Sequence, residues 1–411
     1  MKNKITFNAL MLYLMTFAKM VFPLVTLPYL TRILSVENYA VVSYVKAAMV
    51  YAQIFVDFGF IMSATKDIAL LGENKDGISK IVCNVIVAKM ILVIVGGLPL
   101  FIAASLIDVL SNNVLYLILS YVGVSLTILL PDFLFRGIQE MQSITIRFVI
   151  ARGVSTALTF LVIKSDCDLL YVPILDIVGV LCSALWTWKK IYSLGYCVKL
   201  PSLIESVKTL KNSFVFFISD ATAAVFGAFN TLLVGIFLPL KDVSYWSVAM
   251  QLISAVQALY APINSSLFPH MVKEKDLRLV LNVFKKLMPL VCLGTALAFV
   301  LSEKIVVLVA GVDYLMAARV FDYLLPLLVI SFPAMLFGWP CLGAINKEKQ
   351  TTITTVSAAV LQILIIIFFV FVGRMSLYSL AIARIFSELL LMASRVYLCY
   401  KYRNLFNKGY S

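Results

Sequence analysis

The sequence predicts an all-α membrane protein with about twelve transmembrane helices in two halves of six. Three observations carry that reading: an apolar composition, a repeated pattern of span-length apolar runs, and a one-sided distribution of basic residues. Of 411 residues, 62% are hydrophobic and 13% charged, and the mean hydropathy is +1.00. A soluble domain carries about 25% charged residues. A chain this apolar could not cover its own surface with polar groups, so lipid is its expected solvent.

A bilayer crossing takes roughly 20 apolar residues in helical form. Such runs fall at 6–30, 39–63, 81–107, 114–135, 146–163, 169–188, 212–237, 243–269, 285–303, 320–343, 351–373 and 377–400. The segment 304–319 either extends the ninth span or lies along the membrane surface. The N-terminal run is longer than a signal peptide's core, is interrupted by Lys19 and precedes no small-residue cleavage site, so it reads as the first span.

With both termini cytoplasmic, 22 of the 34 Lys and Arg fall in inner segments and 6 in outer ones. That bias is the positive-inside pattern. It accounts for the formal net charge of +13 without a nucleic-acid partner. The outer loops are too short to hold a catalytic domain, and no enzyme activity is expected. The longest inner connection, 189–211, divides the chain into a bundle over 1–200 and another over 201–411. Tyr39 and Tyr245, and Gly137 and Gly343, are each 206 residues apart and hint at duplication. Seven scattered cysteines with no CxxC pair, and a single histidine (His270), exclude a zinc site or disulfide framework. No metal or cofactor is expected.

Charges inside spans cost about 2.5–3.5 kcal/mol each at the bilayer centre, so they mark water, partners or cargo. The candidates are Lys19, Lys46, Asp57, Lys89, Asp132, Arg152 and Asp176 in the first half, and Asp220, Arg384, Glu388 and Arg395 in the second. Lys46 and Asp57 are eleven residues apart. At 100° per residue they share a helix face, about 16 Å apart along the axis. Arg384 and Glu388, four apart, can form a neutral structural pair. Arg395 is expected to snorkel toward the inner surface. Prolines 23, 28, 326, 333 and 340, with Gly96, Gly97 and Pro99, supply kinks that suit gating or simple packing.

The stretch 22–69 resembles the N-terminal signature of the polysaccharide transporter family, within the multidrug/oligosaccharidyl-lipid/polysaccharide exporter superfamily. Its Wzx-type O-antigen flippases are the most similar. The residues that carry the resemblance are Pro28, Tyr29, Leu30 and Arg32, then Asp57-Phe58-Gly59-Phe60, then Ala64, Thr65, Ile68 and Ala69. Ser35 and Ala40 depart from usual glycines. LFRGIQEM (134–141), with Arg136 in place of the usual Gln, YWSVAMQL (245–252), LFP (267–269) and 311–328 are also similar.

The resemblance implies two six-helix bundles around a central cavity. It implies export of an undecaprenyl-diphosphate-linked oligosaccharide from the cytoplasmic to the periplasmic leaflet of a bacterial inner membrane. Membrane lipid is then a partner, as are a polysaccharide polymerase and a chain-length regulator, and the transporter is expected to act as a monomer. Lys19, Lys46, Lys89 and Arg152 are the expected substrate-binding cations. Asp57 and Asp220 are the expected ion-coupling or gating carboxylates, with proton or sodium as the ion. A cation-coupled multidrug exporter of the same superfamily is the nearest rival, and a membrane-bound polysaccharide polymerase or ligase is the next.

Overall fold

The computed structural model describes residues 2–197 and 203–406. Met1, Ser411 and part of the long 189–211 connection lie outside them. Helix is the regular structure of the described residues, with no strand among them. The chain forms two compact units, Met1–Leu232 and Leu233–Ser411.

The first unit holds α1 (Lys2–Ile33), α2 (Val36–Asp57), α3 (Phe60–Leu71), α4 (Lys75–Leu106), α5 (Asp108–Ser111), α6 (Val114–Leu126), α7 (Asp132–Gly137), α8 (Met141–Val162), α9 (Tyr171–Ser193) and α10 (Leu203–Ala224). Helix α11 (Ala228–Phe237) leads into the second unit. There follow α12 (Leu240–Ala258), α13 (Ala261–Glu274), α14 (Leu277–Val300), α15 (Ser302–Ala310), α16 (Leu315–Leu324), α17 (Pro326–Leu336), α18 (Glu348–Phe371) and α19 (Leu377–Lys401). A π-helical segment, Phe337–Gly343, follows α17.

Eleven of the twelve expected spans are helical and apolar over a membrane-crossing length. The seventh, 212–237, is broken: α10 ends at Ala224, residues 225–227 form a turn, and α11 restarts with ten residues. The segment 304–319 does not extend the ninth span. Gly311, at φ 98°, ends α15, and α15 packs instead on α16.

The Asp57-Phe58-Gly59-Phe60 motif breaks the second span in two. Phe58 (φ 44°) and Gly59 (φ 74°) are both left-handed, so α2 stops and α3 starts along a new axis. The break admits α10. Phe58 stacks on Phe217 with ring centroids 4.6 Å apart, and Ser63 and Ser213 hydroxyls lie 2.6 Å apart. Hence α10 packs on α2, α3 and α4, and the first unit extends to Leu232, past the 200/201 boundary read from the sequence.

A Cβ on Gly59 would sit 2.4 Å from Phe216 Cβ, whereas one on Gly72, also at positive φ, would meet nothing within 4 Å. Left-handed backbone costs an L-residue about 1–2 kcal/mol, and overpacking costs about 1–3 kcal/mol more. Gly59→Ala is therefore expected to lower the Tm in detergent well beyond Gly72→Ala. Equal shifts would show that the α10 contact carries no stability.

One turn in each unit closes in the same way. In the first, Glu140 N–H donates to Phe135 C=O at 2.7 Å and Gln139 N–H to Arg136 C=O at 3.1 Å, with Gln139 at φ 60°. In the second, Lys347 donates to Leu342 at 2.8 Å and Asn346 to Gly343 at 3.2 Å, with Asn346 at φ 59°. Both are Schellman closures. Their register is 207 residues, so Gly343 matches Arg136 and not Gly137.

In the second unit, α19 packs on α16, α17 and α18. Arg384 and Glu388 form a buried ion pair at 2.5 Å. Arg395 does not snorkel. It is 8% exposed, and its guanidinium donates to Ala334 C=O at 2.7 Å, Thr355 Oγ1 at 3.1 Å and Thr354 Oγ1 at 3.3 Å. Gly338, with the non-helical ψ of −114°, lies against it. The π turn and Pro340 leave α17 short of backbone donors, and the arginine supplies one.

Candidate functional site: a cationic cavity in the first unit

In the first unit α1 packs on α8, α8 on α9, α9 on α6, and α6 on α2. This run of helices surrounds a cavity of about 570 Å³ whose lining residues all lie between Met15 and Ser183. Aliphatic association gains little in lipid, so such a unit is held by close packing and interhelical polar contacts. Two such contacts are the Tyr29 hydroxyl donating to Ile163 C=O at 2.6 Å and the Thr145 hydroxyl donating to Met11 C=O at 2.8 Å.

The lining carries six cations, Lys19, Lys46, Lys89, Arg136, Arg147 and Arg152, against three carboxylates, Asp57, Asp132 and Asp176. Each carboxylate is paired. Lys89 Nζ lies 2.7 Å from Asp57 Oδ1, Arg147 Nη2 lies 2.7 Å from Asp132 Oδ1, and Arg152 pairs with Asp176. The other Asp57 oxygen accepts from Gln53 Nε2 at 2.8 Å. Lys19, Lys46 and Arg136 have no acidic oxygen within 4.0 Å among the described residues. Lys19 stands over the Phe148 ring at 5.5 Å, and Arg136 Nε is buried without a hydrogen-bond partner. The chamber thus holds an excess of three positive charges, borne by the unpaired residues.

All four cations singled out in the sequence, Lys19, Lys46, Lys89 and Arg152, come together here. Lys46 and Asp57 both line the cavity, as their shared helix face requires. Arg136 and Arg147 belong to the same lining although neither stands among the in-span charges read from the sequence; the one signal was Arg136 standing where a neutral Gln is usual. The two candidate coupling carboxylates separate. Asp57 is engaged through both oxygens. Asp220 is exposed on α10, outside the cavity lining, and belongs to the first unit together with Asp57 rather than to an opposite half.

Helices broken at defined points around a polar chamber, in a chain with eleven apolar span-length helices, define a multispanning membrane protein. The inward-facing conformation of a multidrug-resistance MATE family transporter of the MOP superfamily superposes with a TM-score of 0.76, at 14% identity, over 93% of this chain and 94% of that one. The chain belongs to the polysaccharide biosynthesis protein family, whose profile matches residues 5–275. A Shigella dysenteriae protein named as a candidate O-antigen transporter is 27% identical over 396 residues, covering 94% of this chain and 97% of its own length. One of the same name from Escherichia coli K12 is 24% identical over 374 residues, covering 89% and 90%.

Proposed function

We propose that the chain is a flippase of a bacterial inner membrane. It moves undecaprenyl-diphosphate-linked O-antigen, or similar polysaccharide, repeat units from the cytoplasmic to the periplasmic leaflet by alternating access. The observation that carries this is the excess of unpaired cations in the first unit's cavity. A diphosphate cannot cross hydrocarbon unaided. Charge-assisted hydrogen bonds from lysine and arginine replace its hydration, and the sugars need the water that a polar chamber admits. The names of the two full-length relatives point the same way.

The lining disfavours the multidrug reading. A cationic drug would enter a chamber that repels it, because all three aspartates are already neutralised. Asp57 is held by Lys89 and Gln53, and of the two candidate carboxylates Asp220 is the one without an ion-pair partner among the described residues. The chemistry proposed needs no cofactor and makes or breaks no covalent bond.

The test uses purified protein in vesicles. Fluorescent undecaprenyl-diphosphate-linked oligosaccharide should exchange between leaflets faster than in protein-free vesicles, and an organic cation such as ethidium should not be carried. Transport of ethidium with no exchange of the lipid-linked sugar would overturn the proposal.

A further inference from the structure

A second, apolar cavity of about 220 Å³ runs along the seam of α8 and α9. Each helix contributes a stripe at the same spacing. On α8 it is Arg147, Ile150, Ala151, Val154, Ser155 and Leu158; on α9 it is Leu175, Val178, Gly179, Cys182, Ser183 and Trp186. Eleven residues on each helix span about 16 Å. The helices run antiparallel, since Arg147 donates to Thr187 at 3.0 Å, so Arg147 closes one end of the groove and Leu158 and Leu175 lie at the other. Ile150, Val154 and Val178 are exposed on its flank, facing where lipid would lie.

The groove and the cationic chamber share a wall. Arg147, Ala151, Ser155, Gly179 and Ser183 line both. Apart from Arg147 these are small residues, and the helices approach closely there: a Cβ on Gly179 would lie 3.7 Å from Ala151 O and from Ser155 Cβ. Arg147 is 7% exposed, and its Nε has no hydrogen-bond partner. A buried guanidinium with a donor to spare therefore stands at the point where a wet, cationic space meets a dry, lipid-side one.

We propose that the α8–α9 groove holds the proximal polyisoprenoid chain of a phosphate-headed lipid whose head occupies the chamber, with the small-residue seam as the lateral passage between them. The occupant follows from the complementarity of the two spaces. A molecule lodged across the shared wall has to be anionic and hydrogen-bonding on the Arg147 side, and unbroken hydrocarbon over some three helical turns on the other. An unattached sugar phosphate has nothing for the groove, and a plain hydrocarbon nothing for the chamber. This inference rests on the transport reading above and adds the path of the tail.

Photoreactive benzoylphenylalanine is placed singly at Val178 in the groove, at Thr156 in the chamber, and at Ile94, an apolar and exposed position of α4 outside both cavities. Each full-length variant is put in nanodiscs with radiolabelled undecaprenyl phosphate and irradiated. Val178 and Thr156 should capture label several-fold above Ile94, and excess phosphatidic acid should leave that capture in place. Capture at Thr156 but none above background at Val178 would overturn the groove while leaving the transport reading intact. No capture at either would overturn both. Loss of the Val178 signal to phosphatidic acid would make an ordinary acyl chain the occupant and overturn the proposal.

Discussion

Replacing Lys46 and Arg136 together by alanine is expected to reduce transfer of the lipid-linked oligosaccharide at least about a hundredfold, because each lost charge-assisted hydrogen bond is worth about 1.5–3 kcal/mol and each 1.4 kcal/mol is a factor of ten. Both side chains are in the cavity lining without a carboxylate partner, so their positive charge is available to cargo. The same reasoning ranks the single variants. Loss of Lys19, Lys46 or Arg136 removes net charge from the chamber. Loss of Arg152 lowers the net charge by the same unit but takes away a cation that Asp176 already engages, and should matter less. Lys46→Arg keeps the charge and should retain most transfer. The measurement is leaflet exchange in vesicles, with surface polysaccharide in cells as a second readout and membrane protein quantified throughout. Equal losses from Arg152→Ala and Lys46→Ala would show that pairing does not decide which cations serve the cargo.

The second large effect is on stability. Asp57→Ala is expected to destabilise the first unit by about 3–5 kcal/mol, the usual result of removing one partner of a buried ion pair. Lys89 has only 4% of its side chain exposed, and it would lose the acidic partner that holds it in the chamber wall. Removing both charges in an Asp57→Leu, Lys89→Met double variant should restore most of the lost Tm, since a well-packed apolar pair is often as stable as a buried ionic one. Thermal unfolding in detergent separates the cases. A double variant no more stable than Asp57→Ala would show that Asp57 acts through something other than Lys89. Transport by a stable double variant would remove Asp57 as a coupling carboxylate.

Periodic, contiguous features of the sequence carried the fold a long way. Eleven of the twelve runs became span-length helices because each is long and apolar enough to be decided locally. The exceptions are where tertiary contacts overrule the run. The 212–237 stretch reads as one span, yet 225–227 is a turn. Phe58 takes a left-handed conformation that few non-glycine residues adopt, with Phe217, far along the chain, stacked on its ring. Charge was legible as presence, and as pairing only within one helix, as for Arg384 and Glu388. Lys89 and Asp57 meet across 32 residues, a distance at which no helical periodicity helps. Arg136 and Arg147 flank the turn between α7 and α8, where a cation ordinarily reaches for water; only the packing of α7 and α8 directs them inward. Arg395 departs from its expected place for the same reason. A long cation near a helix end ordinarily reaches for water, and nothing local announces a neighbouring helix with a backbone carbonyl to spare.

That last arrangement bears on how the second unit can move. Three prolines around α17 make it look like a hinge. The guanidinium of Arg395 turns the bend into a braced joint, with one arm on the Ala334 carbonyl and two on the α18 threonines. Straightening the bend would strand three donors and an acceptor in a dry interior at once, so α17, α18 and α19 form a rigid truss with few internal degrees of freedom. Flexing within it is the stiff mode. Lysine at 395 could hold one strut but not the planar, three-way fastening, and the joint would become compliant although its charge was unchanged.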